Sequence, residues 1–593
     1  MDENRVTYFA ETDARNKKIR FGIKSKDRTR HVYVIGKTGM GKSTVLENMA
    51  IQDIQKGEGL VFIDPHGKTA DLLLNYVPEE RIKDVMYFAP FDMDHPISFN
   101  VMEDVGPDKR HLVANGLMSA FKKIWIDAWS ARMEYILNNI LLALLEFPNS
   151  TLLGVNRMLA DKEYRKKVVE NIHDVSVKAF WTEEFAKYGD RYMQEAGAAI
   201  QNKVGQFIAN PLVRNIIGQP KSSFDLRKMM DERKIFIVNL SKGRVGEQNA
   251  NLLGSMFVTK VYLAAMSRAD ANETMLRRLP NFYLYVDEFQ SFANESFADI
   301  LSEARKYKLN LTIAHQYIEQ MSEEVRAAVF GNVGTMVSFR VGAYDAEVLE
   351  KEFAPQFTAE DMVNLGFTQI YLKLMIDGVT SPPFSATTLP PIPAPPVSFR
   401  DDIIEHTRQK FAVPRALVEE SIKEWSESYK SPAPEKKFSR EKPAVASGDY
   451  RKAVPVGAGA ADNKPAVSSE ARKSEGRYPA RVDVGRDSQK DFHHRETAPK
   501  KFAPRPEKSP SEENRSSLRD ALAGVLKEVK EKEAATAARD DLRQGAFVPN
   551  KNFSESKPSA AASPKVSSNQ DKNKGVPEEI LRQVLKVEGH DKP

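Results

Sequence analysis

Seven short apolar runs stand out along the N-terminal part of the chain: His31–Ile35, Leu60–Ile63, Val85–Phe88, Ile235–Leu240, Phe282–Val286, Leu309–Ala314 and Thr335–Phe339. Each is four to six residues long and nearly continuous in its apolar character, the pattern of a strand covered on both faces. Helical periodicity separates many of them, which is the signature of β-α-β units and predicts a mainly parallel sheet in an α/β fold. The block from Pro107 to Lys234 differs. It carries long amphipathic stretches, Ser130–Glu146 and Tyr164–Tyr188, with few strand signals, and predicts an all-helical domain inserted into the α/β domain. Further on, Gln369–Ile376 and Thr380–Thr388 flank Asp377-Gly378, a hairpin signal.

The pattern changes near Pro390, beyond which Pro-, Ser-, Ala- and Lys-rich segments such as Lys464–Ser469 and Ser554–Ser568 cannot bury enough apolar surface to fold alone. The expected division is 1–106 and 235–394 for the two parts of the α/β domain, 107–234 for the helical insertion, 395–430 for a helical extension, and 431–593 for a largely disordered tail. Three stretches of helical pattern persist after Pro390: Asp401–Trp425, which can dock back on the core, Ser517–Lys532, and Pro577–Val587; transient helix in a solvated tail and a partner-docking helix that folds on binding are the competing readings. The net charge of the 593 residues is only +5, which neither marks nor excludes a nucleic-acid binder, because such a protein needs local basic surface. No cysteine is present, excluding disulfides and thiolate-bound metals. Met1–Arg30 is charged throughout with no apolar signal core, and the longest apolar stretch, near Ile136–Phe147, is too short to span a bilayer, so a cytoplasmic location is expected.

The chemistry begins after the first of these runs. Gly36-Lys37-Thr38-Gly39-Met40-Gly41-Lys42-Ser43 follows an apolar strand and opens a helical pattern, the context a phosphate-binding loop requires. Glycines let backbone N–H groups converge on phosphates at a helix N-terminus, where the dipole favours anions. Lys42 is expected to neutralise the β- and γ-phosphates of ATP, and Ser43, with Thr44 beside it, to reach Mg²⁺. Hydrolysis needs a second, acidic station, and Phe282–Val286 ends in Asp287-Glu288. A strand ending in two acids at the carboxyl edge of the sheet places Asp287 to assist Mg²⁺ and Glu288 to act as general base. Gln316, just past the run Leu309–Ala314, is positioned to sense the γ-phosphate, and Arg305, leading into that run, to reach a neighbouring subunit's site. Taken alone, a solvated helix face explains Arg305 and a loop amide explains Gln316. Asp64-Pro65-His66-Gly67 ends the second run near the same edge; His66 has no second His or acid at metal-ligand spacing and reads as a turn residue.

Together these residues resemble the HerA–FtsK group of P-loop motors, and within it the TraG/TraD-type coupling proteins of conjugation and type IV secretion, over Arg20 to Leu389. The resemblance implies a RecA-like P-loop NTPase domain interrupted by an all-helical domain, ATP and Mg²⁺ as cofactors, a hexameric ring, single-stranded DNA as cargo and a membrane subunit of a secretion channel as partner at the inner face of the cell membrane. It also implies that Arg305 is a finger acting between subunits, that Gln316 is the sensor, and that Arg340 is a second arginine near the phosphates. Coupling proteins usually carry N-terminal membrane helices, whereas this chain begins almost directly at the motor. Three functions compete: a DNA-translocating ATPase, as a coupling protein or a soluble HerA-like motor; a secretion or pilus-assembly ATPase that moves protein; and a nucleotide-gated binding module without turnover. The joint presence of Lys42, Glu288 and Arg305 speaks against the last.

Overall fold

The apolar runs become strands that begin and end within a residue of their expected limits, and every residue in them is buried. The computed structural model describes residues 3–428 apart from 14–16, 127, 189–196 and 294–295; the segment 431–593, with the stretches Ser517–Lys532 and Pro577–Val587, lies outside the described residues. Eleven strands form one sheet: β1 (Val6–Glu11), β2 (Arg20–Lys24), β3 (Val32–Ile35), β4 (Gly59–Asp64), β5 (Val85–Phe88), β6 (Ile235–Asn239), β7 (Phe282–Val286), β8 (Leu309–His315), β9 (Thr335–Ser338), β10 (Gln369–Lys373) and, after a small hairpin of β11 (Met375–Ile376) and β12 (Val379–Thr380), β13 (Phe384–Thr388). Their spatial order is β2-β1-β13-β10-β9-β3-β8-β7-β4-β6-β5. The seven strands from β9 to β5 are parallel, and β10, β13, β1 and β2 continue the sheet antiparallel.

The expected hairpin forms, with Asp377 (φ 50°) and Gly378 (φ 85°) both in the left-handed region that a tight two-residue turn demands. Two strands carry no clear sequence signal. β1 and β2 lie in the N-terminal stretch read as charged throughout, yet Thr7, Phe9 and Ala10 are buried, because β13 supplies an edge for β1 to pair with. A second difference concerns Tyr164–Tyr188, which is not one amphipathic helix. It breaks into Lys162–Glu170, Val175–Ala179, a wide π turn Phe180–Glu184 and a final turn Phe185–Lys187. Asp174 accepts the N–H groups of Ser176 and Val177 and so starts a new helix where periodicity alone predicts continuation.

Helices cover both faces. On one, α1 (Lys42–Gln55) and α2 (Lys68–Leu74) lay Val45, Leu46, Met49 and Leu73 against Val32, Val34, Leu60 and Phe62. On the other, Tyr33, Ile35, Val61, Ile63, Phe236 and Val238 join the core of the helical block between β5 and β6, which includes α3 (Arg110–Ile124) and α4 (Ala131–Glu146). The buried helix α5 (Glu247–Met266) bridges the two: Phe257 stacks on Phe99 at 4.0 Å and meets Phe88 edge-on at 4.7 Å. Gly116 of α3 lets Thr259 of α5 approach so closely that a Cβ there would sit 2.4 Å from its methyl carbon. Beyond β7, α6 (Ser296–Glu303) leads toward β8. The stretch Asp401–Trp425 docks on the core as two helices, α7 (Arg400–Phe411) and α8 (Arg415–Glu427), with Pro414 between them; Arg408 bonds Asp92 at 2.7 Å and Thr407 accepts the N–H of Tyr87.

Below the sheet, a buried ion pair ties β7, α1 and the turn before β3 together. Arg28 donates to both carboxylate oxygens of Asp53 on α1 (2.8 and 3.0 Å) and to the hydroxyl of Tyr285 on β7 (2.7 Å), and its guanidinium lies 3.8 Å over the ring of Tyr283. Both charged side chains are fully buried. Removing one partner of such a pair strands the other charge. Asp53→Ala should therefore cost about 3–5 kcal/mol, read as a lower urea midpoint by circular dichroism, while Arg28→Met combined with Asp53→Leu should recover most of it; a single variant that unfolds at the parental midpoint would show that the pair holds nothing.

Candidate functional site

The site is assembled at the carboxyl ends of the central parallel strands, and register decides which residues meet. Tyr33, Ile313 and Val286 lie level across β3, β8 and β7, and Val286 pairs with Ile63 of β4. One residue on, Asp287 and Asp64 are neighbours; further along, Gln316 emerges level with Gly36, where the loop Gly36–Ser43 leaves β3. Residues spread over 280 positions of sequence thus share one edge because parallel strands start and stop together.

The loop is shaped by its glycines. Gly36 has no room for a side chain: a Cβ would lie 2.5 Å from the Cβ of Phe339. Gly41, at φ 117°, precedes α1 as its N-cap, and no side chain caps that helix, so its first-turn amides are free to receive an anion. Gly39, at φ 78°, has nothing within 4 Å of where a Cβ would stand. Met40 is buried, while Lys37 and Thr38 are exposed on the loop's outer side and Thr44 is half-buried in the first turn of α1. The N–H of Lys37 donates to the carbonyl of Arg340 at 2.8 Å, and the Arg340 guanidinium reaches the sulfur of Met40 at 3.3 Å, placing this second arginine against the loop.

Lys42 is buried and donates to the carbonyls of Gly36 (2.7 Å) and Lys37 (3.3 Å). Burial pushes its pKa down, and the nearby carboxylates of Glu288 and Asp287 oppose that shift. Across the site, Ser43 Oγ donates to Asp287 Oδ2 at 2.9 Å. Asp287 is 3% exposed, and burial, then the like charge of Asp64, raise its pKa to about 6 against the opposing bond from Ser43. Asp64 serves the backbone, since its two oxygens accept the N–H groups of His66 and Ala70 and fix the turn into α2.

Glu288 sits in the left-handed region, at φ 46° and ψ 50°, an arrangement costing a non-glycine residue on the order of 1 kcal/mol. Its N–H bonds Asp287 Oδ1 at 2.9 Å, and its carboxylate takes a short hydrogen bond from the amide of Gln290 and lies 4.0 Å from His66 Nε2. Gln316 reaches the loop, its side-chain amide donating to the hydroxyl of Thr38. Two neighbours of the acid thus escaped the sequence reading. His66 reads as a turn residue, and nothing in a linear pattern brings it to Glu288; Gln290 stands two residues on, where only the left-handed turn folds it back.

Arg305 is not brought to this edge. It occupies an exposed turn just before β8 begins, and its pKa is lowered by burial and then by the charge of Arg30, which lies just ahead of β3. The seven residues of β8 separate it from the P-loop edge by roughly 20 Å at about 3.3 Å per residue. Among the described residues, no cluster of three His, Cys, Asp or Glu gathers to hold a metal, and no helix is long and apolar enough to cross a membrane. Mg²⁺ does not require such a cluster, since it is commonly held by one or two protein oxygens, water and the substrate's phosphates.

Several solved structures resemble the chain. The plasmid coupling protein TrwB in complex with the non-hydrolysable ATP analogue ADPNP is 14% identical, covers 66% of this chain and 95% of its own, and superposes with a TM-score of 0.46. TrwB in complex with ADP and Mg²⁺ is likewise 14% identical, with 63% and 88% covered and a TM-score of 0.46. VirB4 of Thermoanaerobacter pseudethanolicus is 12% identical, with 65% and 96% covered and a TM-score of 0.42. No curated protein matches the sequence. The model of one protein family, described as type IV secretory system conjugative DNA transfer, matches residues 4–334, more than half of the 593 residues. The chain belongs to that conjugative DNA transfer family of type IV secretory systems.

Proposed function

We propose that the chain is an ATP-driven motor that moves DNA, working as a homo-oligomeric ring, with hydrolysis at the carboxyl edge of its sheet. The observation that carries this reading is the convergence of Ser43 and Asp287 to 2.9 Å across 244 positions of sequence, with Glu288 beside them and Gln316 on the loop. The uncapped first turn of α1 and the open space around Gly39 fit a triphosphate; the paired oxygens of Ser43 and Asp287 fit Mg²⁺, which when bound offsets phosphate charge. Residues Gly36 to Thr44 hold the nucleotide, and Lys42 neutralises the phosphates. Glu288 accepts a proton from the attacking water, and its strained backbone together with Gln290 and His66 holds the carboxylate in place. Gln316 reads the presence of the γ-phosphate through its bond to Thr38, and Arg340 supports the loop.

Arg305, at the opposite edge, can act on a phosphate only in a neighbouring protomer, which supports a ring, with six subunits as the expected number. Single-stranded DNA is the expected cargo, and a membrane subunit the expected partner at the inner face of the membrane. The helices between β5 and β6 form the inserted domain of this reading, spanning 107–234.

ATP hydrolysis should rise when single-stranded DNA is added, and more than with double-stranded DNA. Lys42→Ala and Glu288→Gln should each lower it by at least about a hundredfold. Hydrolysis that does not respond to either DNA, yet is lost in both variants, would point instead to protein as cargo. Arg305→Ala should cost about a thousandfold, and mixing that protein with Glu288→Gln protein should restore turnover; no restoration at any ratio removes the finger.

Asp287 also makes a stability prediction. Its folded pKa, about 6, lies above the ordinary value of 3.8, so folding favours the protonated acid; the unfolded chain ionises first as pH rises, and stability is lost between pH 3.8 and about 6. At neutral pH the buried charge is a cost, and Asp287→Asn should raise stability by on the order of 2 kcal/mol while abolishing hydrolysis. The gain should vanish near pH 4. A melting temperature that falls at about pH 7.5, or a gain independent of pH, would contradict this assignment.

A further inference from the structure

A cavity of about 810 Å³ lies away from the nucleotide edge, where the two connections between sheet and helical block cross. Its walls are the residues just ahead of β5 and β6, the segments around Phe99 and Phe224, the polar side of α5 near Lys260, and the end of α7 at Phe411. That volume is in the range of a small-molecule site.

The charges of this cavity do not balance locally. Its acids are mostly engaged: Asp84 and Glu232 with Lys234, Asp104 with Arg110, and Asp270 with Lys109. Asp225 spends an oxygen capping the backbone N–H of Lys228. Three cations are different. Lys83, Lys260 and Lys410 line the cavity without a carboxylate within ion-pair distance among the described residues, and Lys260 also lacks any hydrogen-bond acceptor there. The acid that faces Lys260 is Glu103, which already accepts the N–H of Ser222 at 3.4 Å. Burial lowers the Lys260 pKa to about 8, with Glu103 opposing. Flat apolar surfaces share the cavity with these amines: Phe224 stacks parallel to Phe99 at 5.9 Å, and Phe411, with the Lys410 amine 5.1 Å over its ring, closes the end.

We propose that this cavity binds a small organic anion with a flat apolar body, its charge held by Lys260 with Lys83 and Lys410 at the rim, and its face packed on Phe224 and Phe411. A compact anion satisfies the amines but leaves the aromatic wall bare, and a neutral flat molecule leaves Lys260 unpaired, so the two features together define the class. A ligand seated there touches both the segments that lead into β5 and β6 and the helical block. The cavity shares no residue with the nucleotide edge at Lys42 and Glu288, so its occupancy can be measured whether or not hydrolysis occurs.

The test is chemical labelling of the full chain with pyridoxal 5′-phosphate, itself a flat anion. An unprotonated lysine amine attacks the aldehyde carbon, water leaves, and borohydride reduces the imine to a stable secondary amine that peptide mapping locates. Lys260 should be labelled at about pH 7.5 at least about tenfold faster than the exposed Lys162 and Lys166, because more of it is unprotonated. 1-Naphthoate should slow labelling of Lys260 and leave those two unchanged, whereas inorganic phosphate at the same concentration should not protect. Phe224→Ala should keep the fast labelling and lose the naphthoate protection. Labelling of Lys260 at the surface rate, no protection by naphthoate, or equal protection by phosphate would each overturn the proposal.

Discussion

The carboxylate of Asp287, buried against the hydroxyl of Ser43, is the contact on which the nucleotide edge depends. A nearly dry acid is costly unless it is bonded or protonated, and here it is reached by one hydroxyl and by the N–H of Glu288. Asp64, level with it on the next strand, makes ionisation harder still. The fold tolerates this because the parallel strands are locked by burial on both faces, so Asp287 cannot retreat to solvent without moving β7. The strained turn at Glu288 belongs to the same arrangement: the backbone leaves its preferred region so that two consecutive acids can point into one site.

The opposite edge of the sheet is fastened by different chemistry. Arg28 and Asp53 join α1 to β7, and His31 joins β3 to β8 and α6: its Nδ1 accepts the N–H of Leu311 while Nε2 lies 3.2 Å from the carbonyl of Leu301. Burial holds the His31 pKa near 4, so the ring stays neutral and one tautomer serves both partners. This matters for Arg305, which lies on the turn just after α6. The ring therefore ties the strand that leads into the P-loop to the helix that leads into the arginine's turn. At the other end of β8, His315 Nδ1 shares a hydrogen bond of 3.0 Å with the hydroxyl of Tyr33, and its carbonyl accepts the N–H of Gly36, so the strand carrying Gln316 is bonded at both ends to the strand that carries the loop.

The strands were readable because a buried parallel strand needs a short, continuous apolar run, and all seven are of that kind. The phosphate loop was readable because only glycine fits at Gly36 and at the positive φ of Gly39 and Gly41. The hairpin at Asp377-Gly378 was readable for the same reason. β1 and β2 were not, since short antiparallel strands at the edge of the sheet and next to it need only a few apolar positions, and their charged flanks hide those. The break at Asp174 was not, because a capping oxygen outweighs the periodicity of the stretch around it. His66 stayed invisible because a contact between neighbouring strand ends leaves no trace in spacing, and Gln290 because only the left-handed turn at Glu288 folds it back.

By itself, then, the order of residues determined the parallel α/β core, the glycine-lined loop and the acids that answer it, because steric and burial rules act on short segments and tolerate few substitutes. Tertiary structure alone decided that Asp287 would lie beside Asp64 and carry a raised pKa, that Arg305 would lie at the far end of β8 from the glycine-lined loop, and that Lys260 would be left without an ion-pair partner in a cavity. Those outcomes depend on strand order and on which faces meet, and strand order is set by the packing of the whole sheet rather than by any one segment of it.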